Sequence, residues 1–186
     1  MVILGFSGSL RRDSHNTTLL LAAARALPPG VELVRFDTLA EVPPFDEDHE
    51  LEPAPAAVRG LRGAIASADA LLIATPEYNA SIPGQLKNAF DWASRPFATN
   101  ALRGKPVAVI GASTGPFGAV WAQAELRKVL RTIGARVVEH DLAIGAAHEA
   151  FDPVGWLLDC HDRDSLGELV RELVEEAEER PSGLAA

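Results

Sequence analysis

The sequence VILGFSGSLRRDSHNT, residues 2–17, joins a short apolar run to a polar loop that is rich in hydrogen-bond donors. The run Val2–Phe6 is typical of a buried strand, and the residues from Ser14 onward fit a helix that Pro28, Pro29 and Gly30 end. The backbone N–H groups at a helix N-terminus point at whatever lies before it, so the loop between strand and helix is a ready anion site. This stretch predicts an α/β unit with an anion-binding turn.

The same alternation of strand and helix continues along the chain. Strands are predicted at 31–36, 70–75, 107–112 and 136–138, with 142–144 extending the last one, and helices at 14–27, 56–67, 81–94, 117–133 and 165–179. Ser165 and Glu168 form a capping-box pattern at the start of the last helix. Parallel strands need crossover helices, and ligands of such open sheets bind at the carboxyl ends of the strands. We therefore expect one α/β domain over residues 1–180 and a flexible tail at 181–186.

Composition limits the classes of function. The 186 residues carry 17 Lys and Arg against 26 Asp and Glu, a net charge of −9, which argues against a nucleic-acid surface. Cys160 is the single cysteine and the histidines are scattered, so neither a disulfide framework nor a metal site is expected. No apolar run approaches the length of about 18 residues that a membrane span needs, and no signal peptide is apparent. We expect a cytoplasmic protein without membrane or nucleic-acid partners.

Three loops at the predicted ligand edge carry unusual residues. In the first loop, hydroxyl, amide and guanidinium donors suit a phosphate, although capping alone would explain Ser14 or Asn16. The loop has neither the Gly-x-Gly-x-x-Gly fingerprint nor a Gly-Lys-Ser sequence, so a dinucleotide fold and a P-loop are both disfavoured. In the second loop, Pro76 and Pro83 stiffen a wall whose polar backbone can face a planar ligand, and in the third the glycines permit close approach to a flat ring.

Together these segments resemble the NADPH-dependent FMN reductase family, including its chromate- and quinone-reducing members. The resemblance rests on Gly8-Ser9-Leu10-Arg11 with Ser14 and Asn16, and above all on Pro76-Glu77-Tyr78-Asn79 and the motif that follows it up to Trp92. It covers roughly residues 1–145. It implies a flavodoxin-like three-layer sandwich with a five-stranded parallel sheet of order 2-1-3-4-5, which binds FMN without a covalent link.

The resemblance also implies which residues hold the cofactor. The FMN phosphate would be bound by Ser9, Arg11, Ser14, Asn16 and Thr17. The isoalloxazine ring would be lined by Pro76, Glu77, Tyr78 and Asn79 on one side and by Ser113, Gly115, Phe117 and Gly118 on the other. Relatives commonly have two adjacent glycines and then a small or basic residue, whereas this chain has Gly118-Ala119-Val120-Trp121, and we expect Trp121 to narrow the substrate side.

The function implied is that of an enzyme with no catalytic side chain of its own, because the flavin carries the redox chemistry. NADPH or NADH would reduce the flavin at N5, and a quinone, azo dye, metal oxyanion or free flavin would take the electrons in a ping-pong mechanism. The alternatives are a flavodoxin-type electron carrier and a scaffold that has lost its cofactor. Relatives close the open ring face with a neighbouring subunit, so we expect a homodimer or homotetramer. We expect Phe90, Trp92, Phe117 and Trp121 to supply its apolar surface.

Overall fold

The computed structural model describes residues 1–50 and 53–179 and shows a parallel β-sheet between two layers of helices. The strands run in the order β2-β1-β3-β4-β5, and β6 pairs with β4 beyond the end of β5. This confirms the flavodoxin-like order 2-1-3-4-5, with the fifth position divided between two short strands. The strands are β1 Val2–Ser7, β2 Glu32–Arg35, β3 Ala70–Thr75, β4 Pro106–Ala112, β5 Arg136–Val137 and β6 Leu142–Ile144.

Among residues 1–50 and 53–179, four α-helices and three short 3-10 helices lie between the strands, and a fifth α-helix follows β6. The α-helices are α1 His15–Ala26, α2 Ala56–Ser67, α3 Gly84–Ala93, α4 Val120–Ile133 and α5 Cys160–Glu178. The 3-10 helices lie at Leu39–Glu41, Glu47–His49 and Phe97–Thr99. The tail predicted at 181–186 lies outside the described residues, and no helix within the described ranges is long and apolar enough to cross a bilayer.

The two faces of the sheet bury separate apolar clusters. Leu71 and Ile73 of β3 face one cluster, which α2, α3 and α4 complete. Leu72, between them, faces the other cluster, which α1 and α5 cover. This alternation follows from the strand geometry, in which successive side chains point to opposite faces. It explains why the central strands β3 and β4 are buried at every position.

Two aromatic residues expected on the surface lie in the core. Phe90 is 0% and Trp92 is 1% exposed, and the Trp92 indole donates a hydrogen bond of 2.8 Å to the Pro43 carbonyl. The expectation that they supply an interface surface is therefore wrong. The apolar side chains of α3 are buried in the same cluster as those of β3 and leave no apolar surface for an interface. Phe117 and Trp121 remain exposed.

The last helix begins five residues before the predicted capping box. Asp159 caps α5, since its carboxylate accepts from the backbone N–H of Asp162 at 3.1 Å. Ser165 instead lies inside the helix, where its hydroxyl is 2.9 Å from Nε2 of His140. The prediction of a start at Ser165 was wrong because the apolar stripe begins only at Leu166, after a polar first turn. The helices α3 and α4 begin at Gly84 and Val120, three residues after their predicted starts.

A buried arginine bridges the interruption between β5 and β6. Arg127 of α4 is 7% exposed and donates to the carbonyls of Val109 at 2.9 Å and His140 at 3.1 Å. It also forms an ion pair of 2.8 Å with Asp141. Burial lowers the pKa of this guanidinium, and the Asp141 carboxylate opposes that shift. The arginine thus supplies hydrogen bonds to backbone that the broken edge leaves free.

Candidate functional site

The three loops singled out above meet at the carboxyl edge of the sheet. The loops after β1, β3 and β4 surround a cavity of about 200 Å³. Open α/β sheets bind ligands at this edge, so the cavity lies where the topology predicts it. It is lined by Ser9, Arg11, Ser14, His15, Asn16, Pro76, Glu77, Tyr78, Ala112, Ser113 and Thr114.

The first loop presents unused donors at the start of α1. Ser14 caps the helix, its hydroxyl accepting from the Thr17 N–H at 3.4 Å. Within the described chain, the backbone N–H groups of His15 and Asn16 form no hydrogen bond. They lie at the positive end of the helix dipole and are donors that an anion would satisfy.

Arg11 adds a positive charge to this loop. Its guanidinium donates to the backbone carbonyl of Asp13, and its own backbone N–H donates to the Ser9 hydroxyl at 3.3 Å. One such bond leaves most of the five guanidinium N–H groups for a ligand. The donor set of this loop therefore fits the phosphate of FMN, with a charged fork and helix N–H groups side by side.

Asn16 ties the first loop to β4. Its side-chain amide donates to the Ala112 carbonyl at 2.9 Å, and its carbonyl oxygen accepts from the Ala112 N–H at 2.9 Å. Asn16 is buried, and one N–H of its amide is left after these two bonds. A structural role, which holds two walls of the cavity together, is therefore directly visible for this residue.

Thr17 lies on the other side of the first loop, beside a second cavity of about 260 Å³. Its hydroxyl donates to the Ser7 hydroxyl at 3.0 Å. Ser9 and Arg11 line both cavities, so the loop forms the wall between them. The second cavity extends to Arg35 and Asp37 at the carboxyl end of β2.

The second loop contains a tight hairpin turn. The backbone N–H and carbonyl of Tyr78 are paired with those of Ser81 at 2.9 and 3.1 Å. The two residues between them, Asn79 and Ala80, have positive φ values of 54° and 60°. Two such residues are the requirement of a type I′ turn. The turn places Tyr78 against the cavity, while Asn79 lies at the tip and is not among the lining residues.

Glu77 links the second loop to α4. Its carboxylate accepts from the backbone N–H groups of Trp121 at 3.0 Å and Ala122 at 3.1 Å. The residue before α4, Ala119, has no capping side chain and a φ of 64°. Glu77 therefore caps α4 although it lies 44 residues before Trp121 in the sequence. The helix dipole favours a negative charge at this N-terminus.

The third loop packs closely against β6. A Cβ on Gly118 would lie 2.3 Å from the carbonyl carbon of Ala143, so this position demands glycine irrespective of any ligand. The Gly115 carbonyl accepts from Ala146 at 3.0 Å. Ser113 lines the cavity, but Gly115, Phe117 and Gly118 do not.

The bulky residues that depart from the family pattern lie beside the cavity and not in its lining. Phe117 and Trp121 pack edge to face at a centroid distance of 5.2 Å, and both are more than half exposed. Val120 and Trp121 line a separate groove of about 350 Å³ with Arg127 and neighbouring residues. Trp121 therefore borders the mouth of the site from outside.

His15 is a lining residue that the sequence analysis did not select. Burial lowers its pKa first, and the charges of Arg11 and His148 lower it further. Its position directly after the helix cap is the signal that could have identified it, because that position faces any ligand bound at the N-terminus of α1. In the described ranges, no group of three His, Cys, Asp or Glu residues could hold a metal ion, and Cys160 is exposed.

Known proteins resemble this chain over most of its length. An NAD(P)H-dependent FMN reductase of Pseudomonas aeruginosa is 42% identical over 172 residues, 92% of either chain. A 2-hydroxy-1,4-benzoquinone reductase of a Burkholderia species is 47% identical over 122 residues, 66% of either chain. The structure of a flavoenzyme NAD(P)H:(acceptor) oxidoreductase from Paracoccus denitrificans superposes with a TM-score of 0.86 at 35% identity, covering 95% of this chain and 97% of the other.

The family model described as NADPH-dependent FMN reductase matches residues 1–149, which include all three loops of the site. The donor set at α1 fits the phosphate of the cofactor that this family uses. The chain therefore belongs to the NADPH-dependent FMN reductase family, whose members are oxidoreductases that depend on FMN and a reduced nicotinamide.

Proposed function

We propose that this protein is a cytoplasmic, single-domain oxidoreductase that reduces quinones or related acceptors with NADPH or NADH through bound FMN. The observation that carries the proposal is the convergence of Arg11 and the free N–H groups of α1 on one cavity at the ligand edge of the sheet. The relative that is named a 2-hydroxy-1,4-benzoquinone reductase supports a quinone as the acceptor class. Azo dyes, metal oxyanions and free flavin are the other electron acceptors to be tested.

In this proposal the first loop holds the FMN phosphate. Arg11 neutralises its charge, the α1 N–H groups donate to its oxygens, and the hydroxyl groups of Ser9 and Ser14 add neutral donors, whereas the Thr17 hydroxyl donates to Ser7 and supports the loop. Asn16 fixes the distance between this loop and β4 through its two bonds to Ala112. The phosphate and its counter-charge then stay at one place while the redox reaction proceeds at the other end of the cofactor.

The second and third loops would hold the flavin ring. Pro76, Glu77 and Tyr78 form one wall, with Asn79 at the tip of the turn beside it, and the wall is held rigid by the turn and by the Glu77 cap. Ser113, Gly115, Phe117 and Gly118 belong to the opposite loop. When bound, FMN supplies hydride acceptance at N5 and electron transfer to the second substrate, and these walls orient the ring and exclude water from one face.

We expect a ping-pong sequence if the flavin offers a single open face to both substrates. The cavity of about 200 Å³ is smaller than the range of about 300–1,000 Å³ of pockets that enclose drug-sized ligands, so part of a bound FMN would stay outside it. The nicotinamide and a planar quinone would have to use this one face in turn. Initial rates at several fixed quinone concentrations should therefore give parallel double-reciprocal lines, and intersecting lines would contradict the shared face.

An anaerobic experiment separates the enzyme from its alternatives. The reductase binds FMN and is bleached by NADPH or NADH, and quinone restores the yellow colour. A flavodoxin-type carrier would be yellow but would not be bleached by a nicotinamide alone, and a scaffold without cofactor would stay colourless in the presence of FMN. Stopped-flow absorbance at the flavin band measures each half-reaction separately.

We also propose that the active form is a homodimer or homotetramer. Tyr78, Phe117, Val120 and Trp121 leave an exposed apolar surface at the mouth of the site, 52%, 60%, 38% and 51% exposed respectively. Clusters of this kind mark interaction sites, and closed symmetric assemblies are the commonest for soluble proteins. Light scattering at micromolar concentration should give a dimeric or larger mass, and a fully active monomer would refute this assembly.

A further inference from the structure

We propose that the second cavity, behind the first loop, binds the adenosine 2′-phosphate of NADPH and makes this enzyme selective for NADPH over NADH. This inference rests on the proposed function, because it names the donor that the flavin site uses. The cavity has a volume of about 260 Å³ and lies at the carboxyl ends of β1 and β2. Three arginines line it, Arg11, Arg12 and Arg35.

The location suits the far end of a dinucleotide. Ser9 and Arg11 line both cavities, so the second one begins where the flavin site ends. A nicotinamide that stacks on the flavin ring leaves its adenosine half to extend along the surface of the protein. The first loop, which would hold the FMN phosphate, separates the two cavities, so the adenosine half would pass along this loop to reach the arginines.

The charge of the cavity suits a phosphate. Guanidinium groups bind phosphate through two parallel N–H bonds, and three arginines line this cavity although the whole chain carries a net charge of −9. Among residues 1–50 and 53–179, Arg12 has no ion pair or side-chain hydrogen bond, and it does not line the flavin cavity. Its charge is therefore left for a ligand other than the FMN phosphate.

Asp37 argues at first sight for the opposite selectivity. In dinucleotide-binding folds an acid near this position accepts from the ribose 2′-hydroxyl of NADH, whereas an arginine accommodates the 2′-phosphate of NADPH. Here the Asp37 carboxylate is paired with the guanidinium of Arg35, both on the rim of the cavity. The pair holds Arg35 in place and occupies the carboxylate, which leaves the cavity with a net positive lining.

The direct test is calorimetric titration of the FMN-saturated protein with adenosine 2′,5′-bisphosphate and with 5′-AMP. We expect the bisphosphate to bind at least about tenfold more tightly, since its 2′-phosphate gains a charged hydrogen bond that 5′-AMP cannot form. Arg12→Ala and Arg35→Ala should each weaken it about tenfold or more. Arg171→Ala, which removes an equal charge from the exposed face of α5, should have no effect. Asp37→Ala should tighten bisphosphate binding, because it removes the negative charge from the rim of the cavity.

Steady-state kinetics with both nicotinamides provide the second arm. Arg12→Ala should lower the ratio of kcat/KM for NADPH to that for NADH about tenfold. Equal losses of kcat/KM with NADPH and with NADH would place Arg12 at the pyrophosphate and overturn the proposal. A weakened affinity for FMN in Arg12→Ala would assign the cavity to the flavin and overturn it as well. Equal binding of the bisphosphate and 5′-AMP would also overturn it. If neither nicotinamide bleaches the flavin, the proposed function fails, and the titration still decides whether the phosphate site exists.

Discussion

Removal of the Glu77 carboxylate should destabilise α4 from outside that helix. The side chain accepts two backbone hydrogen bonds at the start of α4, at 3.0 and 3.1 Å, where Ala119 offers no cap of its own. Loss of a capping side chain costs about 0.5–2 kcal/mol, and loss of a negative charge at a helix N-terminus costs about 0.3–1 kcal/mol more. Glu77→Ala should therefore lower the free energy of unfolding by about 1–3 kcal/mol.

The assay is urea denaturation of the ligand-free protein, followed by circular dichroism. The midpoint should shift while the slope m stays constant, and in a chain of this size 1 kcal/mol corresponds to about 2–4 °C in Tm. Glu77→Gln keeps an acceptor oxygen but loses the charge, so it should retain part of the stability. Glu125→Ala is the matched control, because within the described residues the side chain of Glu125 in α4 forms no hydrogen bond. A Glu77→Ala midpoint no lower than that of Glu125→Ala would refute the capping role.

Three further predictions concern the same edge of the sheet. Arg11→Ala should weaken FMN by about 1.5–3 kcal/mol but leave riboflavin, which lacks the phosphate, almost unchanged; equal calorimetric losses for both would remove Arg11 from the phosphate. Ala80→Gly should raise the unfolding free energy by up to about 1 kcal/mol, because Ala80 has a φ of 60°, whereas Ala124→Gly inside α4 should lower it by about 1 kcal/mol. If both substitutions shifted the denaturation midpoint in the same direction, the strain at Ala80 would be contradicted. His15 has a pKa below that of an ordinary histidine, so the unfolded chain takes up its proton first as the pH falls, and stability should decline from the ordinary histidine pKa down to the folded one. His15→Asn should flatten this decline in a pH series of denaturation curves, and an unchanged slope would exclude His15 as its source.

The architecture could be predicted from the sequence because the fold depends on local patterns of apolar residues. The buried runs at 70–75 and 107–112 became β3 and β4 with the expected bounds to within one residue. The division of the fifth strand into β5 and β6 was not predicted, since it depends on the burial of Arg127, which donates to the Val109 and His140 carbonyls and pairs with the Asp141 carboxylate. The start of α5 was missed because a polar first turn carries no periodic signal.

Most residues of the site could be predicted from the sequence, but the structural roles of several of them could not. Eight of the proposed residues line the cavity, among them Arg11, Tyr78 and Ser113. Glu77 and Asn16 also bind backbone groups 44 and 96 residues away, and no spacing in the sequence reveals such partners. Thr17 lies beside the second cavity, which was not foreseen because its arginines come from the first loop and from the end of β2.

The bidentate contact between Asn16 and Ala112 has a consequence for the energetics of cofactor uptake. It joins the walls before any ligand arrives, so the site is preorganised and little ordering entropy is lost on binding. The backbone of the flavin-free and flavin-bound proteins should then coincide within about 1 Å along these walls. The amide hydrogen of Ala112, held by a buried side chain at the end of a central strand, should exchange with solvent only when the whole protein unfolds.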